Sequence, residues 1–124
     1  GEMRQGSADR GRRNDLAGRA AEAAVERHYE RNGRTVCARR WRGPGGEIDL
    51  IARRGGTVAF VEVKWRATAA ERDLAIDPWR LRRVIAAAEA LAPRYAKGAE
   101  TVRVDVLLLA PGRWPRHIAN ASLA

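Results

Sequence analysis

Helical spacing and strand alternation succeed one another along this chain in an order that suggests layers. From Leu16 to Asn32 the run LAGRAAEAAVERHYERN is rich in alanine and spaced for a helix. Leu16, Ala20, Ala24 and Val25, with the apolar parts of His28 and Tyr29, form its stripe, while Arg19, Glu26 and Arg27 face solvent. Asn32-Gly33 supplies the stop. The period then falls to two: Thr35 to Trp41 reads as a strand ended by Gly43-Pro44-Gly45-Gly46, and Glu47 to Ala52 and Thr57 to Trp65 read as two more. Gly55-Gly56 between the last two suits a tight hairpin turn, because both positions tolerate positive φ. Arg66 to Ile76 is polar and fits neither period. Asp77 as N-cap and Pro78 at the first helical position open a second helix to about Leu91, with Leu81, Val84, Ile85, Ala88 and Leu91 on its apolar face and Arg80 and Arg83 beside it. Past Pro93, Val102 to Leu109 is a fourth strand, and the tail from Pro111 offers a short edge strand or surface packing. Helix, three strands, helix, strand predicts one α/β domain over residues 15–124, a central mixed β-sheet flanked by helices, after a basic arm at 1–14 that carries Arg4, Arg10, Arg12 and Arg13.

The hairpin carries the chemistry. With Gly55-Gly56 as its turn, Arg54 pairs with Thr57, Asp49 faces Glu62 and Glu47 faces Lys64. Strict alternation then gathers Glu47, Asp49 and Ile51 with Phe60, Glu62 and Lys64 on one face. Ile48, Leu50 and Ala52 join Ala59, Val61, Val63 and Trp65 on an apolar face that covers the core. Two opposed carboxylates repel, which leaves two readings. In the first, Mg²⁺ or Mn²⁺ is held by Asp49, Glu62 and a backbone carbonyl such as that of Val63, and Lys64 stands beside the bound water or a scissile phosphate. In the second, Lys64 pairs with Glu47 and both carboxylates are solvated. Glu22, one turn after Gly18, is either a surface glutamate or an acid leaning over the hairpin. Asp105 is expected to pair with an arginine, and Cys37 to be a buried strand thiol. His28 and His117 are too few and too far apart to indicate zinc, and no serine or cysteine triad stands out. The four tryptophans read first as packing residues, with Trp65 and Trp79 also placed to stack an unpaired base.

Charge selects among partners. The chain has 124 residues, 24 Lys and Arg against 15 Asp and Glu, and a net charge of +9. Such a balance favours a polyanion through counterion release, so nucleic acid is the expected partner; the alternative is a small assembly protein whose charge is incidental. No apolar run approaches a membrane span. A single cysteine and the lack of a secretory segment point to the cytoplasm.

The segment Gly46-Glu47-Ile48-Asp49-Leu50-Ile51-Ala52, a short spacer, and Phe60-Val61-Glu62-Val63-Lys64-Trp65-Arg66 resemble the signature of the YraN-like bacterial family. That family is similar to archaeal Holliday-junction resolvases and to the PD-(D/E)xK, restriction-endonuclease-like nucleases. The likeness runs from about Gly18 to Asn120 and takes in Glu22, Gly33 and the Arg103-x-Asp105 strand. It implies a metal-dependent endonuclease, acting on DNA ahead of RNA, in which Asp49 and Glu62-Val63-Lys64 are the catalytic motif and Glu22 an accessory acid. By the same likeness Arg66 and Arg80 lie near substrate phosphates, and Arg83 would join them in gripping the backbone. A junction substrate would imply a homodimer. The competing expectation is a noncatalytic nucleic-acid-binding module of the same fold.

Overall fold

The computed structural model of the chain describes residues 18–43, 46–73, 77–99, 101–113 and 115–119. The basic arm at 1–14, Leu16, Pro44-Gly45, Trp114 and Asn120 lie outside the described residues. Helix α1 occupies residues 18–31. It is followed by β1 (Thr35–Gly43), β2 (Gly46–Arg54), β3 (Thr57–Trp65), α2 (Ala69–Asp73), α3 (Pro78–Tyr95), β4 (Thr101–Leu109) and β5 (Arg116–Ile118). The strands form one sheet in chain order. β1, β2 and β3 are antiparallel neighbours, β4 runs parallel to β3 after the α3 crossover, and β5 returns antiparallel along β4. This single mixed-sheet α/β domain has the restriction-endonuclease-like architecture.

Apolar residues cover both faces of the sheet, whereas alternation in the sequence suggested one apolar face. On one side Ile51, Val58, Phe60 and Val104 pack with Val84, Ala87, Ala88 and Leu91 of α3. On the other, Leu50, Ala52, Ala59, Val61, Val63 and Leu107 pack with Val25 and Tyr29 of α1. The central strand β3 is therefore buried without interruption from Val58 to Lys64, as expected for a strand covered twice. Ile48 is a correction: it joins the α3-side core instead of following Leu50 and Ala52.

Other departures from the sequence pattern have local causes. Helix α1 turns Val25 and Tyr29 inward with Ala21 beside them, while Ala20, Ala24 and His28 are exposed. Cys37 is exposed, because the β1–β2 register shifts between Val36 and Ala38 and leaves it outside the ladder on an edge strand. The α3 helix continues through Pro93 to Tyr95. Proline there removes only a bond to the Glu89 carbonyl, and Glu89 is at the surface. Its start is as predicted: Asp77 Oδ1 accepts the Trp79 N–H at 3.0 Å. Within the polar stretch from Arg66, the Thr68 hydroxyl accepts the Glu71 N–H at 3.2 Å and opens the short helix α2. Gly46, at φ 132°, lets β2 pass close to α3, since a Cβ there would lie 3.3 Å from the Arg83 carbonyl oxygen.

Asp105 ties α1 to the far strands. It is fully buried, and its Oδ2 accepts from the Tyr29 hydroxyl at 3.0 Å and from Arg103 Nη2 at 2.9 Å. His117 Nε2 lies 2.9 Å from the same oxygen, an arrangement that suits the Nε2–H tautomer. The expected arginine pairing is thus one part of a larger cluster, and both burial and the Asp105 charge hold the Tyr29 hydroxyl well above its ordinary pKa. Tyr29→Phe removes one donor from a buried carboxylate while keeping the ring. It is expected to cost about 1–3 kcal/mol in urea unfolding; an unchanged midpoint would show that the hydroxyl contributes nothing there.

Candidate active site

Pairing between β2 and β3 runs from Arg54 opposite Thr57 to Leu50 opposite Val61, the register that the Gly-Gly turn predicts. Beyond Leu50 the regular ladder gives way. Asp49 Oδ2 accepts the Val63 N–H at 2.7 Å, so a side chain takes a donor that faces β2. β3 keeps its pairing with β4 through this region, Glu62 opposite Val106 and Lys64 opposite Leu108. The carboxylates are thereby presented from a strand held firmly on its other side.

The alternation of both neighbouring strands reverses at the same level. Ile48 and Ile51, three positions apart, enter the same core, and so do Ala38 and Trp41 of β1. Pairing is nevertheless preserved on either side, with Trp41 opposite Ile48 and Arg39 opposite Leu50. Arg40 and Asp49 lie between those pairs. Arg40 has φ 49°, a left-handed conformation that costs an L-residue about 1–2 kcal/mol. Its Nε donates to Glu22 Oε2 at 2.9 Å, but a pair this exposed is worth at most about 1 kcal/mol. The flanking ladder must therefore help to hold the strained residue in place.

These residues line a cavity of about 380 Å³ in which Glu22, Arg40, Asp49, Glu62, Lys64 and Arg80 meet. Glu62 and Lys64 are both buried, with Lys64 Nζ 2.7 Å from Glu62 Oε1. The Arg80 Nε is 3.9 Å from the same oxygen. The alternative pairing of Lys64 with Glu47 is not formed: Glu47 lies at the rim, 3.3 Å from Arg42 Nε and 4.0 Å from Arg80 Nη2. Burial pushes the Asp49 carboxyl up to about 7. The Glu62 charge adds to this, the Val63 N–H opposes it, and the Glu22 charge and a hydrogen bond with Glu62 raise it further. Asp49 and Glu62 therefore act on one another within the cavity that both line.

Arg66 and Arg83 lie elsewhere. Arg66 lines an adjoining cavity that shares Gly18, Val63 and Lys64 with the first, and its Nη1 donates to the Trp65 carbonyl at 2.8 Å. Arg83 stands outside both, its guanidinium 5.2 Å from the centre of the exposed Trp79 ring. Arg40 is the participant that sequence reasoning missed. Its signal was the polar pair Arg39-Arg40 between Ala38 and Trp41, which breaks a period of two.

The donor set suits a hard, hydrated cation. Asp49 and Glu62 offer oxygens that repel each other without one, and the chain contributes a cavity with room for water. Among the described residues no group of three or more His, Cys, Asp or Glu is placed to enclose an ion. Mg²⁺ needs none, since it commonly binds one or two carboxylates and keeps several waters.

Residues 21–109, which span every residue of this cavity except Gly18 and Arg19, match the model of the uncharacterised protein family UPF0102. The chain belongs to that family. A UPF0102 protein of Sphingopyxis alaskensis is 56% identical over 106 residues, covering 86% of this chain and 91% of the relative. One from Erythrobacter litoralis is also 56% identical, over 107 residues, covering 86% and 92%. The UPF0102 protein of Rhodopseudomonas palustris is 42% identical over 105 residues, covering 84% and 81%. Among the described residues of this UPF0102 member, no helix is long and apolar enough to cross a membrane.

The raised Asp49 pKa has a defined consequence for stability. An unfolded aspartate titrates near 3.9, so between about pH 4 and 7 the folded state binds the extra proton. This contribution is therefore fully present below about pH 4 and is lost as pH rises through 7. Asp49→Asn keeps an acceptor for the Val63 N–H but removes the charge. The variant is expected to gain about 1–4 kcal/mol over wild type at pH 8 and little at pH 4, as read by urea unfolding at both. An equal difference at the two pH values would remove the electrostatic explanation.

Proposed function

We propose that this cavity is the active site of a metal-dependent nuclease that hydrolyses phosphodiester bonds in nucleic acid, DNA ahead of RNA. The observation that carries the reading is the meeting of Asp49 and Glu62 beside the buried Lys64 amine in a cavity rimmed by Arg40 and Arg80, on a chain of net charge +9. Asp49, Glu62 and the Val63 carbonyl are the groups that would hold Mg²⁺ or Mn²⁺. Such an ion supplies Lewis-acid activation of water and of a phosphoryl oxygen.

The chain's own residues do the rest. Lys64 places its amine in a buried position, where it offsets negative charge developing on the phosphoryl group. Arg80, close to both Glu47 and Glu62, turns guanidinium donors toward a phosphate entering from the rim. Glu22, restrained by Arg40, acts as an accessory acid that orients water. Arg66 in the adjoining cavity and Arg83 on α3 extend the positive track along the polynucleotide. A four-way junction as substrate would require two such sites, and hence a homodimer.

A binding module without catalysis is the second reading. It is favoured by Lys64 being paired with Glu62 and Glu22 with Arg40, so that two of the acids are already neutralised. Cleavage of labelled duplex, single-stranded and junction DNA, and of RNA, at low salt with Mg²⁺, Mn²⁺ or EDTA separates the two. The nuclease reading expects cutting with metal and none with EDTA. It also expects a loss of at least about 100-fold in Asp49→Ala and Lys64→Ala, with binding retained in Lys64→Ala. Salt-sensitive binding with no cutting under either metal would replace it with the binding module.

A further inference from the structure

A second cavity, of about 240 Å³, lies among His28, Tyr29, Asn32, Arg34, Arg54, Arg103 and His117. It shares no lining residue with the candidate active site. Among the described residues no carboxylate lines it; Asp105 lies buried behind it and is engaged by Tyr29, Arg103 and His117. Each guanidinium is anchored. Arg34 sits 5.6 Å from the Tyr29 ring centre, Arg54 Nη1 donates to the Asn32 carbonyl at 3.1 Å, and Arg103 Nη2 donates to Asp105 at 2.9 Å. Other donors are left over: Arg34 Nη1 and Arg103 Nε are buried without a hydrogen-bond acceptor.

A buried polar group with no partner costs about 1–3 kcal/mol, and native proteins keep few of them. Arg34 and Arg103 each keep such a donor just behind one concave basic surface. An oxyanion in the cavity would face the three guanidinium groups that line it, and such pre-oriented forks suit phosphate geometry. We infer that this cavity is a phosphate-binding subsite, separate from the catalytic one, that takes a phosphoryl group through Arg34, Arg54 and Arg103. On the nuclease reading its ligand is a backbone phosphate away from the scissile bond; the inference rests on that reading for the source of the phosphate alone.

The test titrates inorganic phosphate into the full chain while following the His117 ring and the Asn32 and Arg34 amide resonances. Arg34→Gln and Arg54→Gln, at half-buried and exposed positions, serve as variants. Salt-dependent binding of a duplex oligonucleotide is then measured for all three proteins. A saturable shift in wild type that weakens at least about threefold in each variant is expected. The slope of log affinity against log salt should also fall by about one per lost phosphate contact. If phosphate still binds and depends on both arginines while oligonucleotide affinity does not change, the subsite stands and its ligand is a free phosphorylated small molecule. Absence of a saturable shift, or one that survives in both variants, overturns the inference. A chain that binds no oligonucleotide at all would remove the nuclease reading and leave the phosphate titration decisive.

Discussion

Two carboxylates pressed together at the end of a hairpin form the constraint on which the site depends. At about 4 Å in partly buried surroundings, two like charges repel by about 4 kcal/mol, a large share of the 5–15 kcal/mol that stabilises a typical domain. The chain accommodates Asp49 and Glu62 in three ways. Lys64 lies against Glu62, the Val63 N–H is given to Asp49, and Asp49 binds a proton far above the usual carboxylate range. Each of these would change if a cation entered. The arrangement thus has a reason to take up a divalent ion that a row of solvated surface acids would lack.

The surrounding fold determines where this pair sits. β3 is covered by α1 on one face and α3 on the other, and its pairing with β4 is unbroken through Lys64. Glu62 and Lys64 are therefore fixed. β2 adapts: its alternation reverses at Asp49, opposite the left-handed Arg40, and Gly46 allows it to pass under α3. Arg40 in turn reaches Glu22 on α1, which ties β1 to α1 across the cavity that β2, β3 and α3 also line.

Most of this was legible in the sequence because local rules governed it. A Gly-Gly turn fixes register, so the pairing from Arg54 with Thr57 to Leu50 with Val61, which ends next to Asp49 and Glu62, followed from counting back along two strands. Asp77-Pro78 fixed the start of α3 in the same way. The reversal at Asp49 was hidden, because period-two reasoning assumes an unbroken pleat and Ile48 reads equally well on either face. Arg83 looked like a partner for Arg80 one turn away, but its guanidinium is drawn over Trp79. Cys37 read as buried because strand composition does not reveal which strand is at the edge or where a bulge falls. Long-range electrostatics was the least visible level: the arginine partner of Asp105 was expected, but nothing local announces that Tyr29 and His117 also converge on it.

Titration of Mn²⁺ into wild type and Asp49→Asn by calorimetry at pH 7, in buffers of differing ionisation enthalpy, tests the central claim most directly. If the carboxylate pair holds the ion, wild type binds Mn²⁺ and releases part of a proton, because the raised Asp49 pKa leaves that carboxyl partly protonated at that pH. Asp49→Asn then shows weaker binding and no such release. Absence of binding in wild type, or binding that is the same in the variant, would contradict a metal centre at Asp49 and Glu62.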